Sequence, residues 1–159
     1  MPSADVVELS LFEEVAEVAR GLVDPSLGPL RTRARRYGLK AWFETVECGK
    51  EHFEAQVVGA KDVPAASVLA IEVGFHSEHP QAAKNDECLA SLLAGEKKWR
   101  KALKEAETGE FLGGGRPWRR VSEAWADPDL GDEELAFELG ERLAAYVNAL
   151  EPLRRQRSS

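Results

Sequence analysis

Lys40-Ala41-Trp42-Phe43-Glu44-Thr45-Val46-Glu47, then Cys48-Gly49-Lys50, then His52-Phe53-Glu54-Ala55-Gln56-Val57-Val58: the reading of this stretch decides the fold. Polar and apolar residues alternate with a period near two on either side of a glycine-containing turn, which is the pattern of a β-hairpin. A connection over 59–67, with Pro64 inside it, leads to Val68-Leu69-Ala70-Ile71-Glu72-Val73-Gly74-Phe75-His76. This is the most apolar run of the chain and is expected near the centre of a sheet.

Outward from the hairpin the period becomes helical. Ser10 and Glu13 form a capping box for a helix over Leu11 to Val23, with Leu11, Val15, Val18, Ala19 and Leu22 on one stripe. Pro29 and Gly38 bracket a segment, Leu30 to Tyr37, that is predicted as a second short helix carrying Arg31, Arg33, Arg35 and Arg36. On the other side, Asn85 is expected to cap a helix running to about Glu105. Glu110-Phe111-Leu112 reads as a short strand, Gly113 to Pro117 as a loop and Trp118 to Trp125 as a fourth strand. Asp132 opens a last helix with Leu135, Leu139, Leu143, Tyr146, Val147 and Leu150. The order is ααβββαβα, an α+β fold with an antiparallel or mixed four- to five-stranded sheet packed by helices.

At 159 residues the chain has the length of one domain, with 1–9 and 151–159, including Arg154, Arg155 and Arg157, expected to fray. A composition 43% hydrophobic and 31% charged is that of a globular protein and excludes a disordered one. No apolar run reaches the length of a membrane span, and Met1-Pro2-Ser3-Ala4-Asp5 lacks a signal-peptide layout, so the expectation is a cytoplasmic protein with no membrane partner. The net charge of −7 argues against nucleic acid as a partner. Cys48 and Cys88 form no CxxC pair and read as buried thiols. A single isoleucine, Ile71, and an excess of Arg over Lys suggest a GC-rich bacterial genome.

Period-two geometry places His52, Glu54 and Gln56 on one face of the second strand, and Glu72, Gly74 and His76 on one face of the third. Packing of the opposite, apolar faces against a common core makes these polar faces coincide. Two imidazoles, two carboxylates and an amide suit a divalent metal, an oriented water or a polar ligand. The run from Glu72 to Pro80 holds the densest set of metal-ligand types, so Glu72, His76 and His79 are the candidate ligands. The plainer expectation is a solvated sheet face with no task. Arg31, Arg33, Arg35 and Arg36 suit phosphate or an acidic partner, or a solvated face paired with local Glu. Gly113-Gly114-Gly115 lacks the following GK[ST] of a phosphate-binding loop and reads as a turn.

Helix, three strands, helix, strand over roughly Leu11 to Trp125 resembles the core order of the restriction-endonuclease-like superfamily. That resemblance implies metal-dependent phosphodiester cleavage by an acidic residue on the second strand and a Glu-x-Lys pair on the third. It puts Glu54 and Glu72 in those roles and Gly74 where the lysine belongs, which implies a degenerate member.

Two functional readings follow. The sequence favours a non-catalytic binding or interaction module, with a protein or small polar ligand as partner. The rival is a metal-dependent hydrolase, nuclease-like, with Glu54 and Glu72 as catalytic residues, a divalent metal as cofactor, and the Arg cluster on the substrate. The sequence does not specify an oligomeric state.

Overall fold

Alternation at period two runs further along the chain than the sequence reading carried it. Arg31–Arg35, expected inside a helix, is strand β1, and it turns at Arg36-Tyr37 into β2, Gly38–Trp42. The segment offers a helix no apolar stripe: Thr32 and Ala34 face inward and are too small to mark a strand by hydropathy. Its arginines alternate because they share the outward face, and charge on an edge strand opposes pairing with another sheet.

The computed structural model describes residues 9–44 and 50–158. Helix α1 is Leu9–Leu22, β3 Glu51–Gly59, β4 Leu69–Ser77, α2 Ala82–Ala94, α3 Glu96–Trp99, β5 Glu107–Glu110, β6 Arg119–Ala126 and α4 Leu135–Ser158. The six strands form one antiparallel sheet in the order β1-β2-β3-β4-β6-β5. The α+β class is as expected, with six strands instead of four to five and with β6 antiparallel to β4. The expected hairpin turn at Cys48-Gly49, the strand end at Thr45 to Glu47, and residues 1–8 lie outside the described residues.

Helices α1, α2 and α4 cover one face of the sheet. Leu39, Phe53, Ile71, Val73, Phe75 and Val121 project from the strands into a core with Phe12 and Val15 of α1 and Leu139, Leu143, Val147 and Leu150 of α4. The two long helices cross closely at Gly140, where a Cβ would lie 2.6 Å from Val18 Cβ. No helix among the described residues is long and apolar enough to cross a membrane.

Three expectations about where elements begin and end are corrected. The helix expected from Asn85 to Glu105 is broken at Gly95 into α2 and α3, and Asn85 sits fully buried within α2 instead of capping it. Its amide accepts from Ser77 Oγ (2.9 Å) and His79 N (2.8 Å) and donates to the carbonyls of His79 and Pro117. The expected fraying from 151 onward gives way to helix through Ser158, because Glu151 and Arg154 are each 1% exposed and paired to one another. The short strand expected at Glu110 to Leu112 ends at Glu110, which frees Phe111 and Leu112 for the other face of the sheet.

Candidate metal centre

Register decides which side chains meet. Strands β3 and β4 pair so that His52 stands opposite His76, Glu54 opposite Gly74 and Gln56 opposite Glu72. On the far side of β4, Arg120 stands beside His76, Ser122 beside Gly74 and Ala124 beside Glu72. The polar faces therefore coincide on the side of the sheet away from the helices. They are not solvated: His52 and His76 are each 1% exposed and Glu72 is 3% exposed.

A strap buries them. Phe111 leaves β5 and packs its ring against His76, with centroids 4.4 Å apart; Trp118 meets Phe111 edge-on at 5.3 Å, and the Arg116 guanidinium lies over Trp118. Between these aromatic residues Gly113, Gly114 and Gly115 have φ of 85°, 66° and 76°, a left-handed run that only glycine adopts at little cost. The strap reaches Asp62 beyond β3, where a Cβ on Gly113 would lie 2.9 Å from Asp62 Oδ1.

Under the strap a His-x-Glu pair from each central strand converges: His52-Phe53-Glu54 and His76-Ser77-Glu78. Residues two apart share a face and the histidines are cross-strand partners, so both carboxylates turn toward both imidazoles. His52 Nε2 lies 2.8 Å from Glu54 Oε1 and 3.2 Å from Glu78 Oε2, and His76 Nδ1 lies 3.2 Å from each of the same oxygens. All four atoms fall within 4.8 Å of one another. Each ring nitrogen carries at most one proton, so at most two protons serve four N···O approaches. Donors about 2.1 Å from a common ion at tetrahedral angles stand about 3.4 Å apart, close to the separations found here.

The other nitrogen of His76 completes the pattern. His76 Nε2 meets Glu72 Oε2 at 3.0 Å; Glu72 also accepts from Ser122 Oγ at 2.6 Å and from Gln56 Nε2 at 2.9 Å. Ser122 comes this close because residue 74 is glycine: a Cβ there would lie 2.4 Å from Val121 O and 2.6 Å from Ser122 Cα. Carboxylates of this kind orient metal-bound imidazoles and fix their tautomer. Glu72, expected as a ligand or catalytic acid, thus sits behind His76 and not beside Glu54.

The electrostatics match this arrangement. Burial works against the charge on each member, yet the imidazolium of His76 and hydrogen bonds from His76, Ser122 and Gln56 hold the Glu72 carboxyl down to about 2. Burial is likewise outweighed at Glu78, where His52 and His76 hold the carboxyl down to about 2, and at Glu54, which the same imidazoles lower. In return the carboxylates overcome burial to raise His52 above its ordinary value and His76 well above it. Two imidazoliums with three carboxylates carry one net negative charge. Two neutral imidazoles, three carboxylates and a divalent ion carry the same charge, so an ion replaces two protons with no change in the charge buried. A donor set of two nitrogens and two oxygens without thiolate suits Zn²⁺, Mn²⁺ or Fe²⁺.

A cavity of about 450 Å³ opens beside the centre, with Glu54 and Gln56 in its wall and Arg33, Arg35 and Lys40 around it. Arg36 also lines this cavity, whereas Arg31 and His79 do not. Arg31 pairs with Glu44, and Arg36 lies over the Tyr37 ring. His79 faces the helix side, 2.6 Å from Glu51 Oε2, and does not join the metal cluster, because odd and even positions of β3 face opposite ways. Glu78, Ser122 and Phe111 were missed. The doubled His-x-Glu spacing was a signal for Glu78, whereas Ser122 and Phe111 had none.

No protein-family model matches the chain, and no curated protein and no solved structure matches it.

Proposed function

We propose that the protein holds one divalent transition-metal ion between His52, Glu54, His76 and Glu78 and acts as a metal-dependent hydrolase. The observation that carries the metal is the set of four donor atoms, three on buried residues and one on half-buried Glu78, whose four N···O approaches of 2.8 to 3.2 Å outnumber the protons that could serve them. Glu72 holds the second nitrogen of His76, and Ser122 with Gln56 holds Glu72, so one donor of the set, His76, is positioned from behind. An ion of this type polarises an ester or amide oxygen and acidifies a bound water, and hydrolysis adds that water across the bond. Glu54 supports catalysis over storage, because its side chain belongs both to the donor set and to the wall of an open cavity.

The non-catalytic binding module is the second reading, and one observation favours it. Four protein donors beneath an aromatic strap resemble a closed, structural metal site more than an open one. A bacterial, cytoplasmic setting belongs to the same proposal.

Calorimetric titration of chelator-stripped protein with Zn²⁺, Mn²⁺ and Co²⁺ tests the centre. One saturable ion per chain is expected, lost in His52→Ala and His76→Ala and kept in His79→Ala. A folded protein that takes up no ion would end the proposal. The Co²⁺ absorption separates the two readings: a closed four-donor site gives intense visible bands indifferent to added anions, and an accessible site gives bands that anions change.

A further inference from the structure

Among the described residues, three neighbouring cations beside the centre form no ion pair. Arg33 and Arg35 project from β1, and Lys40 from β2, onto the same sheet face as the metal ligands, with Arg33, Lys40 and Glu54 standing in one cross-strand row. Among the described residues none of the three side chains takes part in a hydrogen bond or ion pair. Other basic residues do: Arg31 with Glu44, Arg100 with Glu96, Arg119 with Asp86, Arg120 with Glu107. In a chain with 28 acidic residues and a net charge of −7, a cluster of unpaired cations around a cavity is a feature to be explained. Gly38 opens the floor between Arg35 and Gln56, since a Cβ there would press on Gln56 Cβ at 3.2 Å.

We propose that this cavity is an anion subsite that receives the phosphate group of a small phosphorylated substrate of the metal centre. Two guanidinium groups and an ammonium present the fork and point charges that fit phosphate oxygens. The cavity, about 450 Å³, lies in the range of small-molecule sites. Adjacent strands are about 4.8 Å apart, so a phosphate between Arg33 and Lys40 stands about one to two strand spacings from Glu54, the distance of a neighbouring bond in the same small molecule. Tyr37, 42% exposed, adds an aromatic face at the rim. Glu54 also couples the two sites. As a bare carboxylate it repels an anion in the cavity, and bound to a cation it does not, so the subsite fills more readily when the metal is present.

The inference rests on the metal reading for the position of the reacting bond; the subsite itself does not. Pyrophosphate is titrated calorimetrically into the full chain at fixed ionic strength, in metal-loaded and metal-free forms, and into Arg33→Gln, Lys40→Gln and, as a control cation on α3, Lys97→Gln. The altered residues are exposed, and circular dichroism checks that each variant folds. Binding of one pyrophosphate per chain is expected, weakened about tenfold or more by Arg33→Gln or Lys40→Gln, unchanged by Lys97→Gln, and weaker without metal. Absence of pyrophosphate binding, or binding indifferent to Arg33 and Lys40, in a protein that still takes up metal overturns the subsite and leaves the centre standing. Pyrophosphate binding sensitive to both residues in a protein that takes up no metal upholds the subsite and overturns the centre. Tighter binding of short single-stranded DNA than of pyrophosphate, lost in the same variants, overturns the small-molecule assignment.

Discussion

Strand β3 carries two buried His/Glu clusters on its two faces, and they solve the same problem in different ways. On the helix side Glu51 meets His79 at 2.6 Å and Arg154 at 3.5 Å, while Arg154 is clamped to Glu151 through Nε and Nη2 at 2.8 and 2.7 Å. On the other side, among the described residues, Glu54, Glu72 and Glu78 form ion pairs only with His52 and His76. Arginine stays charged at every pH the fold survives, so Arg154 and Arg155 set two permanent positive charges against Glu51 and Glu151. Imidazoles hold exchangeable protons, and those of the second cluster occupy a place a cation can take. The lesson is that burial of acid and histidine does not by itself mark a site. What separates the two clusters is that arginine pairs directly with the carboxylates of the first, while Arg120 reaches Glu72 of the second only through Ser122.

Removing the arginine breaks the comparison most severely. Arg154→Ala takes a fixed cation from buried Glu51 and Glu151, leaving His79 beside the first and Arg155 beside the second, and truncating one partner of a buried pair costs roughly 3–5 kcal/mol. Urea denaturation should show that loss with metal binding intact in the fraction that remains folded. If the loss is below about 1 kcal/mol, the helix-side cluster is not held by Arg154. Next in size is the effect of metal. At a concentration a hundredfold above its dissociation constant an ion that binds only the folded chain adds about 2.7 kcal/mol, or about 5–10 °C in Tm for a chain of this length. Differential scanning calorimetry should show this rise in the native protein and in His79→Ala, and none in His52→Ala. A rise that survives His52→Ala would place the ion elsewhere.

The outer carboxylate is a finer probe. Glu72→Gln keeps the size of the side chain and removes the charge that holds His76 Nε2–H, and loss of such a partner costs about 10–100-fold in metal affinity. The expected calorimetric result is that weakening with one ion per chain retained. Complete loss of binding would make Glu72 a direct ligand, contrary to its place behind the ring; no change would mean that packing alone orients His76.

Much of this contrast was legible in the chain, and the unread part has physical causes. Alternation over 52–58 and 68–76 foretold that His52, Glu54 and Gln56 would share a face with Glu72 and His76, because a one-residue slip would bury that polar row in the core instead. Four things were not legible. β1 lacks an apolar inner row, since Thr32 and Ala34 do little to betray it. The polar face was expected to be wet, and what dries it is Phe111, brought from another strand by a glycine run whose conformation no periodicity records. The roles of Glu54 and Glu72 depend on which nitrogen of His76 each one meets, a matter of ring orientation and not of spacing. The basic end of α4 looked like a solvated tail because the partners of Arg154 include Glu51, on a distant strand.

The smallest expected effect concerns the strap, which has no counterpart on the helix side, where α4 seals the cluster. Phe111 is half-buried and caps His76 without touching the donor atoms' partners from behind. Phe111→Ala should therefore cost about 1 kcal/mol or less in stability, below the 3–5 kcal/mol of a fully buried phenylalanine. Equilibrium metal affinity should move less than about threefold, since the donors and Glu72 remain in place, a change under about 1 kcal/mol. Exchange should respond more. If the strap is the route by which the ion enters and leaves, opening it speeds association and release together, and stopped-flow chelation should show release several-fold faster at nearly constant affinity. A release rate equal to that of the native protein would locate the entry path at the cavity beside Glu54, and the strap would then be a roof and not a gate.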